Sequence, residues 1–263
     1  MTQNLIFFDI DGTIIDSAGH IPPSAIRAIH RARENGARCI INTGRPYSHI
    51  DPAVIAIGFD GFICSCGQHI MLNGASVFHK TLPQKLCAEI VQLGKACRLD
   101  CYYESEDGIR YLATHPVPPD LKRELERFSA RGFSVDQSPE EPGFRFDKLC
   151  VWTHPDSDFK TFSAFIGRHC SIIDRGGGMF ECVVLGCSKE TGVRFVIRKE
   201  NIPLENCYAI GDSTNDLPML RCVPNSIAMG GAPEQVRREA AYIAPPLEED
   251  GLAAALEHYG FLA

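Results

Sequence analysis

Apolar residues fall into two rhythms along this chain. Leu5, Ile6, Phe7 and Phe8 form an unbroken apolar run that ends at Asp9. Such a run, closed by polar residues, predicts a buried strand over 5–9. The segment 22–36, PPSAIRAIHRARENG, then switches to helical spacing, with Ala25, Ile26, Ile29 and Ala32 on one face. Ser24 is placed to cap this helix and Gly36 to end it. ARCIINTG (37–44) and GFICSCG (61–67) read as a second and a third strand. Strand–helix–strand units at this spacing predict a parallel sheet, because a parallel return needs a crossover helix.

The middle of the chain has a different rhythm. A helix over QKLCAEIVQLGKAC leads to short strands at CYYES and GIRYLAT, a helix after PVPPD and a strand at FDKLCVWT. A helix after HPDSD and the strands CSIID and MFECVVL follow, with EDG and DRGGG as hairpin turns. That order belongs to an α+β module. The α/β rhythm resumes near residue 188 with a helix (KETGVRFVIRKENI), a strand (CYAIGD), a helix (NDLPMLRCV), a strand (SIAMG) and a last helix near DGLAAALEHY. The expected fold is therefore α/β: a Rossmann-like parallel-sheet core built from residues 1–82 and 186–263, with an α+β cap inserted at 83–185.

Composition narrows the function. Hydrophobic residues make up 44% and charged residues 22% of 263 residues, enough apolar material for a large core. The net charge is -7 and no Lys/Arg block occurs, so neither nucleic acid nor an anionic membrane is an expected partner. No stretch reaches the roughly 18 apolar residues of a membrane span. The opening MTQNLIFFDID has neither a basic region nor a small-residue cleavage site, so no signal peptide is expected there. The 12 cysteines are dispersed, with Cys39, Cys150 and Cys207 inside apolar runs, which suits reduced thiols in a cytoplasmic protein. Cys64/Cys66 and Cys97/Cys101 lack a second pair at zinc-site spacing. Nothing in the pattern fixes an oligomeric state.

Two carboxylates at the end of the most apolar strand call for an explanation. Desolvating Asp9 and Asp11 together is costly unless a cation or a reaction uses them. The same residue types could serve a turn, where Asp and Gly are common. Three further polar pieces stand at expected strand ends or a helix start: NTGRP (42–46), SKETG (188–192) and GDSTND (211–216). The chemistry available to this set is phosphate-ester cleavage. A carboxylate can attack phosphorus, and a second can protonate the leaving alcohol and then activate water. Gly12 allows a sharp turn that exposes amides, Thr43 offers a short hydroxyl, and Lys189 adds a compact positive charge at a helix start. Taken alone, Thr43 could be a turn hydroxyl, Lys189 a solvated lysine, Asp212 and Asp216 helix-capping acids, and Arg45 either a substrate contact or a surface residue. His49, His69 and His79 read as structural, and Trp152 as core of the inserted module.

In order and placement, DIDGT, NTGRP, SKETG and GDSTND resemble the four motifs of the haloacid dehalogenase superfamily. GDSTNDLPML, AMGGAP and EEDGLAAALE are similar to its Cof-type phosphatase branch, which carries a C2-type cap. The resemblance implies a Mg2+-dependent phosphatase that hydrolyses small phosphate monoesters, sugar phosphates foremost, through an aspartyl-phosphate. It implies Asp9 as nucleophile and metal ligand, Asp11 as acid/base and metal ligand through its backbone carbonyl, and Asp212 as the third ligand. Ile10 (through its backbone), Thr43, Lys189 and Asn215 would bind phosphate, with Gly12, Gly44 and Asp216 supporting. The cap would close over the core and choose the leaving group. A phosphomutase of the same architecture and a non-catalytic sugar-phosphate sensor are the alternatives. The sequence departs from the branch at Ser213, where glycine is usual, and at Gly231, where asparagine is usual; its Asn-Gly-Ala run is displaced to 73–75.

Overall fold

The computed structural model describes residues 3–105, 108–130, 132–136 and 138–263. The chain forms two compact units. The first takes in the chain up to Arg45, Ile50–Phe78 and everything from Cys187; the second takes in Pro46–His49 and His79–Gly186.

The first unit begins with β1 (Leu5–Phe8), α1 (Pro23–Glu34), β2 (Arg38–Asn42), α2 (Pro52–Ala56), β3 (Gly61–Cys64), β4 (His69–Leu72) and β5 (Ala75–His79). In the second unit follow α3 (Gln84–Ala96), β6 (Asp100–Ser105), β7 (Gly108–Leu112), α4 (Pro119–Ala130), β8 (Val135–Asp136), β9 (Lys148–Trp152), α5 (Phe159–Ile166), β10 (Cys170–Gly176) and β11 (Met179–Val184). The first unit then resumes with α6 (Lys189–Glu200), β12 (Cys207–Gly211), α7 (Leu217–Arg221), β13 (Asn225–Ala228), α8 (Glu234–Arg237), β14 (Tyr242–Ile243) and α9 (Gly251–His258).

The first unit's sheet has the order β14-β13-β12-β1-β2-β3-β4-β5. Pairing is parallel from β14 through β3 and antiparallel between β3 and β4. All four residues of β1 are fully buried, as expected of a central parallel strand covered on both faces. Strand order runs outward from β1 in one direction and from β12 in the other. Their carboxyl ends thus flank the switch point where open α/β sheets leave a crevice.

Local chemistry explains where the expected elements differ. The third strand stops at Cys64 rather than reaching residue 67, because Ser65, Cys66 and Gly67 all adopt positive φ. The displaced Asn-Gly pair supplies positive φ at both Asn73 and Gly74 and connects β4 to β5, two strands the apolar pattern did not reveal. Ser24 does not cap α1. Pro22 holds the N-cap position with Pro23 behind it, and the Ser24 hydroxyl lies 2.5 Å from Asp250 Oδ1.

The second unit's sheet has the order β10-β11-β9-β6-β7-β8, antiparallel except for the β7–β8 pair. Trp152 packs against Tyr102 in its core, with Leu121 and Ile109. Of DRGGG, the residues Asp174, Arg175 and Gly176 end β10 and Gly177 and Gly178 make the turn to β11, with positive φ at all three glycines. Glu106 and Asp107 of the expected EDG turn lie outside the described residues. His49 packs on Phe128 and Phe133, His69 lies 3.0 Å from the Ser76 hydroxyl, and His79 lies 3.4 Å from Asp147. All twelve cysteines are buried thiols. No described helix is long and apolar enough to cross a membrane.

One close approach fixes how α6 seats on the sheet. A Cβ on Gly192 would stand 2.4 Å from Ile63 Cγ2 and 3.4 Å from the Gly67 Cα. Gly192→Ala should therefore destabilise the fold by about 1–3 kcal/mol, although alanine is the better helix former. Combined with Ile63→Ala the loss should be less than additive, since the clash is relieved. Urea denaturation of the two single variants and the double variant measures this.

Candidate active site

The site is built at the carboxyl ends of β1, β2 and β12 and the amino end of α6. Asp9 follows the last residue of β1, and its amide donates to Ile210 O at 3.0 Å, which ties it to β12. The chain then folds back at once. Gly12 N donates to Ile15 O at 2.8 Å, and Ile14 N and Ile15 N donate to Ile10 O at 2.8 and 3.0 Å. This turn needs a residue without a side chain: Gly12 has φ +75°, and a Cβ there would stand 2.2 Å from Asp212 Oδ2. The loop after β1 thus presses directly on the loop after β12.

Lys189 connects the pieces. Ser188 caps α6 through a reciprocal bond with Thr191, which sets Lys189 as the first helical residue. The Lys189 side chain is buried. Its Nζ donates to Asp9 Oδ1 at 2.7 Å, Asp216 Oδ1 at 2.5 Å and Asn215 Oδ1 at 3.5 Å. Asn42 Nδ2 donates to the Lys189 carbonyl at 3.0 Å and so fixes the helix start against β2. Asp216 in turn organises its own loop: Oδ2 accepts Asp212 N at 3.1 Å and Ser213 N at 3.0 Å. Ser213 and Asp216 make a capping box, and Ser213 Oγ donates to Asn215 Oδ1 at 2.6 Å. The serine at the position where the Cof branch usually has glycine is thus a working cap.

Charge is concentrated here. Burial first, and then the Asp216 carboxylate, push the Asp9 carboxyl up to about 8 against the pull of Lys189. Burial followed by Asp216 likewise pushes Asp212 up to about 7. Burial opposes the Lys189 charge, but Asp216 and Asp9 outweigh it and hold the ammonium well above its ordinary value. Asp9, Asp212 and Asp216 each offer an oxygen within 4.8 Å of the others. Asp212 Oδ1 is buried with no hydrogen-bond partner among the described residues. An orphaned carboxylate oxygen beside a second buried carboxylate fits a hard divalent cation, whose charge would offset their desolvation.

The two opening carboxylates stand in opposite settings. Asp9 is 4% exposed, whereas the Asp11 side chain is 50% exposed. Asp11 carries a two-pronged bond from Arg45, whose Nε donates to Oδ2 at 2.9 Å and whose Nη2 donates to Oδ1 at 2.5 Å. Its carboxylate therefore stands outside the acidic cluster, and Asp216 stands within it. Thr43 is buried at the end of β2, where its hydroxyl accepts Arg45 N at 3.2 Å. Ile10 has a buried side chain, and Gly44 continues the turn after Thr43. In the sequence, Arg45 fits a substrate contact and a surface residue equally, Asn42 carries no signal of its contact, and Ser213 stands out only as a departure from the branch. Arg45 stands beside Thr43 within NTGRP, which was the available signal. Asn42 and Ser213 act only through partners far away in the chain or through the local turn.

Comparison with known proteins extends this geometry. The family model for haloacid dehalogenase-like hydrolases matches residues 6–256. YkrA of Bacillus subtilis (strain 168) is 26% identical over 265 residues, covering 100% of both chains. Phosphatase YwpJ of the same organism is 23% identical, covering 97% of this chain and 99% of its own. A solved HAD subclass IIB sugar phosphatase, BT4131, is 26% identical with a TM-score of 0.80, over 98% of this chain and 99% of its own. The fold, the motifs and these likenesses agree: the chain belongs to the haloacid dehalogenase-like hydrolase family and is a phosphatase.

Proposed function

We propose that this phosphatase hydrolyses small phosphate monoesters, sugar phosphates foremost, with Mg2+ and through an aspartyl-phosphate at Asp9. The observation that carries the reading is the buried Lys189 ammonium shared between Asp9 and Asp216, beside the orphaned oxygen of Asp212. Asp9 and Asp212 would hold the metal with their side chains and Asp11 with its backbone carbonyl, while Asp216 serves Lys189 and the loop amides. Bound Mg2+ would neutralise phosphoryl charge and orient the phosphoryl group.

The chain's own residues divide the remaining work. Asp9 attacks phosphorus, the bond to the leaving oxygen breaks, and Asp11 gives that oxygen its proton. Asp11 then takes a proton from water, which attacks the aspartyl-phosphate and releases orthophosphate. Lys189 fixes the Asp9 carboxylate and, with Thr43, Asn215 and the Ile10 backbone, receives the phosphoryl oxygens. Gly12 and Gly44 keep the backbone open around them. Arg45 positions Asp11 through its two bonds. The second unit would select the leaving group. The sugar phosphate assignment follows the likeness to BT4131, a sugar phosphatase. Twelve buried thiols suit a reducing compartment, and the cytoplasm is the proposed site of action.

Hydrolysis of a sugar phosphate should cease on chelation and return with Mg2+. Asp212→Ala should weaken Mg2+ binding in calorimetry, and unchanged affinity would remove Asp212 from the ligand set. Asp9→Asn should abolish turnover, since an amide is a poor nucleophile; retained phosphoenzyme formation from radiolabelled substrate would refute the assignment. Asp11→Asn should cost about 10²–10⁴-fold in kcat/KM for poor leaving groups. That deficit should shrink for aryl phosphates of low leaving-group pKa. Equal slopes of kcat/KM against leaving-group pKa in parent and variant would exclude Asp11 as the acid.

A further inference from the structure

A second cluster of ligating side chains lies within the second unit, at the end of its sheet where β6 begins and β7 and β9 end. Asp100 opens β6, His115 follows β7 and His154 follows β9. Each offers one ligating atom within 4.8 Å of the other two. None of them takes part in the phosphatase chemistry described above.

The three side chains are held in place. Asp100 is 0% exposed, and its Oδ1 accepts Thr114 N at 2.6 Å, Thr114 Oγ1 at 3.1 Å and His115 N at 3.3 Å. Its Oδ2 faces His154 Nε2 at 2.7 Å. The His115 and His154 rings are stacked, with centroids 4.1 Å apart and planes 27° apart. Behind His115, its Nε2 lies 2.9 Å from Asp156 Oδ1, and Arg98 Nε donates to the Asp156 carbonyl at 2.8 Å while lying 3.0 Å from Asp156 Oδ2. His115 Nδ1 lies 2.9 Å from the Thr114 hydroxyl. The loop after β9 is further tied by His154 N donating to Ser157 Oγ at 2.9 Å.

This arrangement has the parts of a metal centre. A carboxylate behind an imidazole fixes its tautomer and ring direction, and Asp156 stands in that place behind His115. The buried Asp100 carboxylate bonds the His154 ring and lies within ligand reach of the His115 ring, and the two rings are stacked. A cation shared by the three groups would offset the desolvation of the buried carboxylate. Two nitrogens and one carboxylate oxygen suit zinc, cobalt or nickel, whereas the all-oxygen set in the first unit suits Mg2+. We infer that Asp100, His115 and His154 bind a divalent transition ion of the zinc type, with Asp156 orienting His115 and the fourth position open to water. Binding would displace the proton between His154 and Asp100 and lock three loops together.

The test uses the whole chain, stripped with chelator and then saturated with Mg2+ so that the core carboxylates are filled. Calorimetry should show one Zn2+ bound per chain, and Co2+ should give a visible absorption band that Zn2+ abolishes. His115→Gln and His154→Gln should each lose the band. Asp156→Asn should weaken Zn2+ binding by about 10–100-fold. Asp212→Ala should leave it unchanged. Failure of the parent to bind Zn2+, or undiminished binding in both histidine variants, would overturn the assignment. So would loss of binding in Asp212→Ala alone, which would place the ion in the core. Should a histidine variant not match the parent's circular dichroism, the unaltered protein decides. Co2+ should broaden the ring resonances of His115 and His154, and sharp resonances would overturn the site.

Discussion

Everything in the first unit's site depends on one buried ammonium. Lys189 Nζ bonds Asp9 and Asp216, partners 180 and 27 residues away. To do so, the end of β1, the start of α6 and the loop after β12 must all arrive at one point. Losing one partner of a buried ion pair typically costs about 3–5 kcal/mol, because the remaining charge is left uncompensated. Asp216 extends the constraint, since its other oxygen holds the amides of Asp212 and Ser213. The cation thus sets both the charge and the shape of the loop that presents Asp212.

Against that constraint, the two carboxylates of DIDGT stand in separate environments. Asp9 is buried among opposed and like charges, and its carboxyl is pushed up to about 8 by burial and Asp216. Asp11 is two residues on, half exposed and gripped by Arg45. The tight turn that separates them depends on Gly12, which also lets the loop lie against Asp212. A neighbour two residues away therefore meets a different solvent and different partners.

The second unit carries its own polar economy. Asp100 is buried as deeply as Asp9, but its partners are the His154 imidazole, the Thr114 hydroxyl and the backbone amides of Thr114 and His115 rather than an ammonium. The contrast shows why a buried carboxylate gains meaning only from what faces it.

The sequence by itself determined the local periodicities and the four motifs. The apolar run of β1, the helical face of α1 and the return of the α/β rhythm near residue 188 are local, so one strand or helix suffices to reveal them. Asp9, Lys189, Asp212 and Asp216 were legible because their motifs stand at element ends. Tertiary structure alone decided what those side chains touch. It turned the Asp11 carboxylate to Arg45, made Ser213 a cap, moved Ser24 from the helix cap to Asp250 and brought Asp100, His115 and His154 together. It also ended β3 at Cys64 with three positive-φ residues, two of them not glycine, which no propensity favours. The physical reason is common to all of these. Periodicity reports which face of a segment is buried, whereas partner choice depends on which distant segments the sheet order sets side by side.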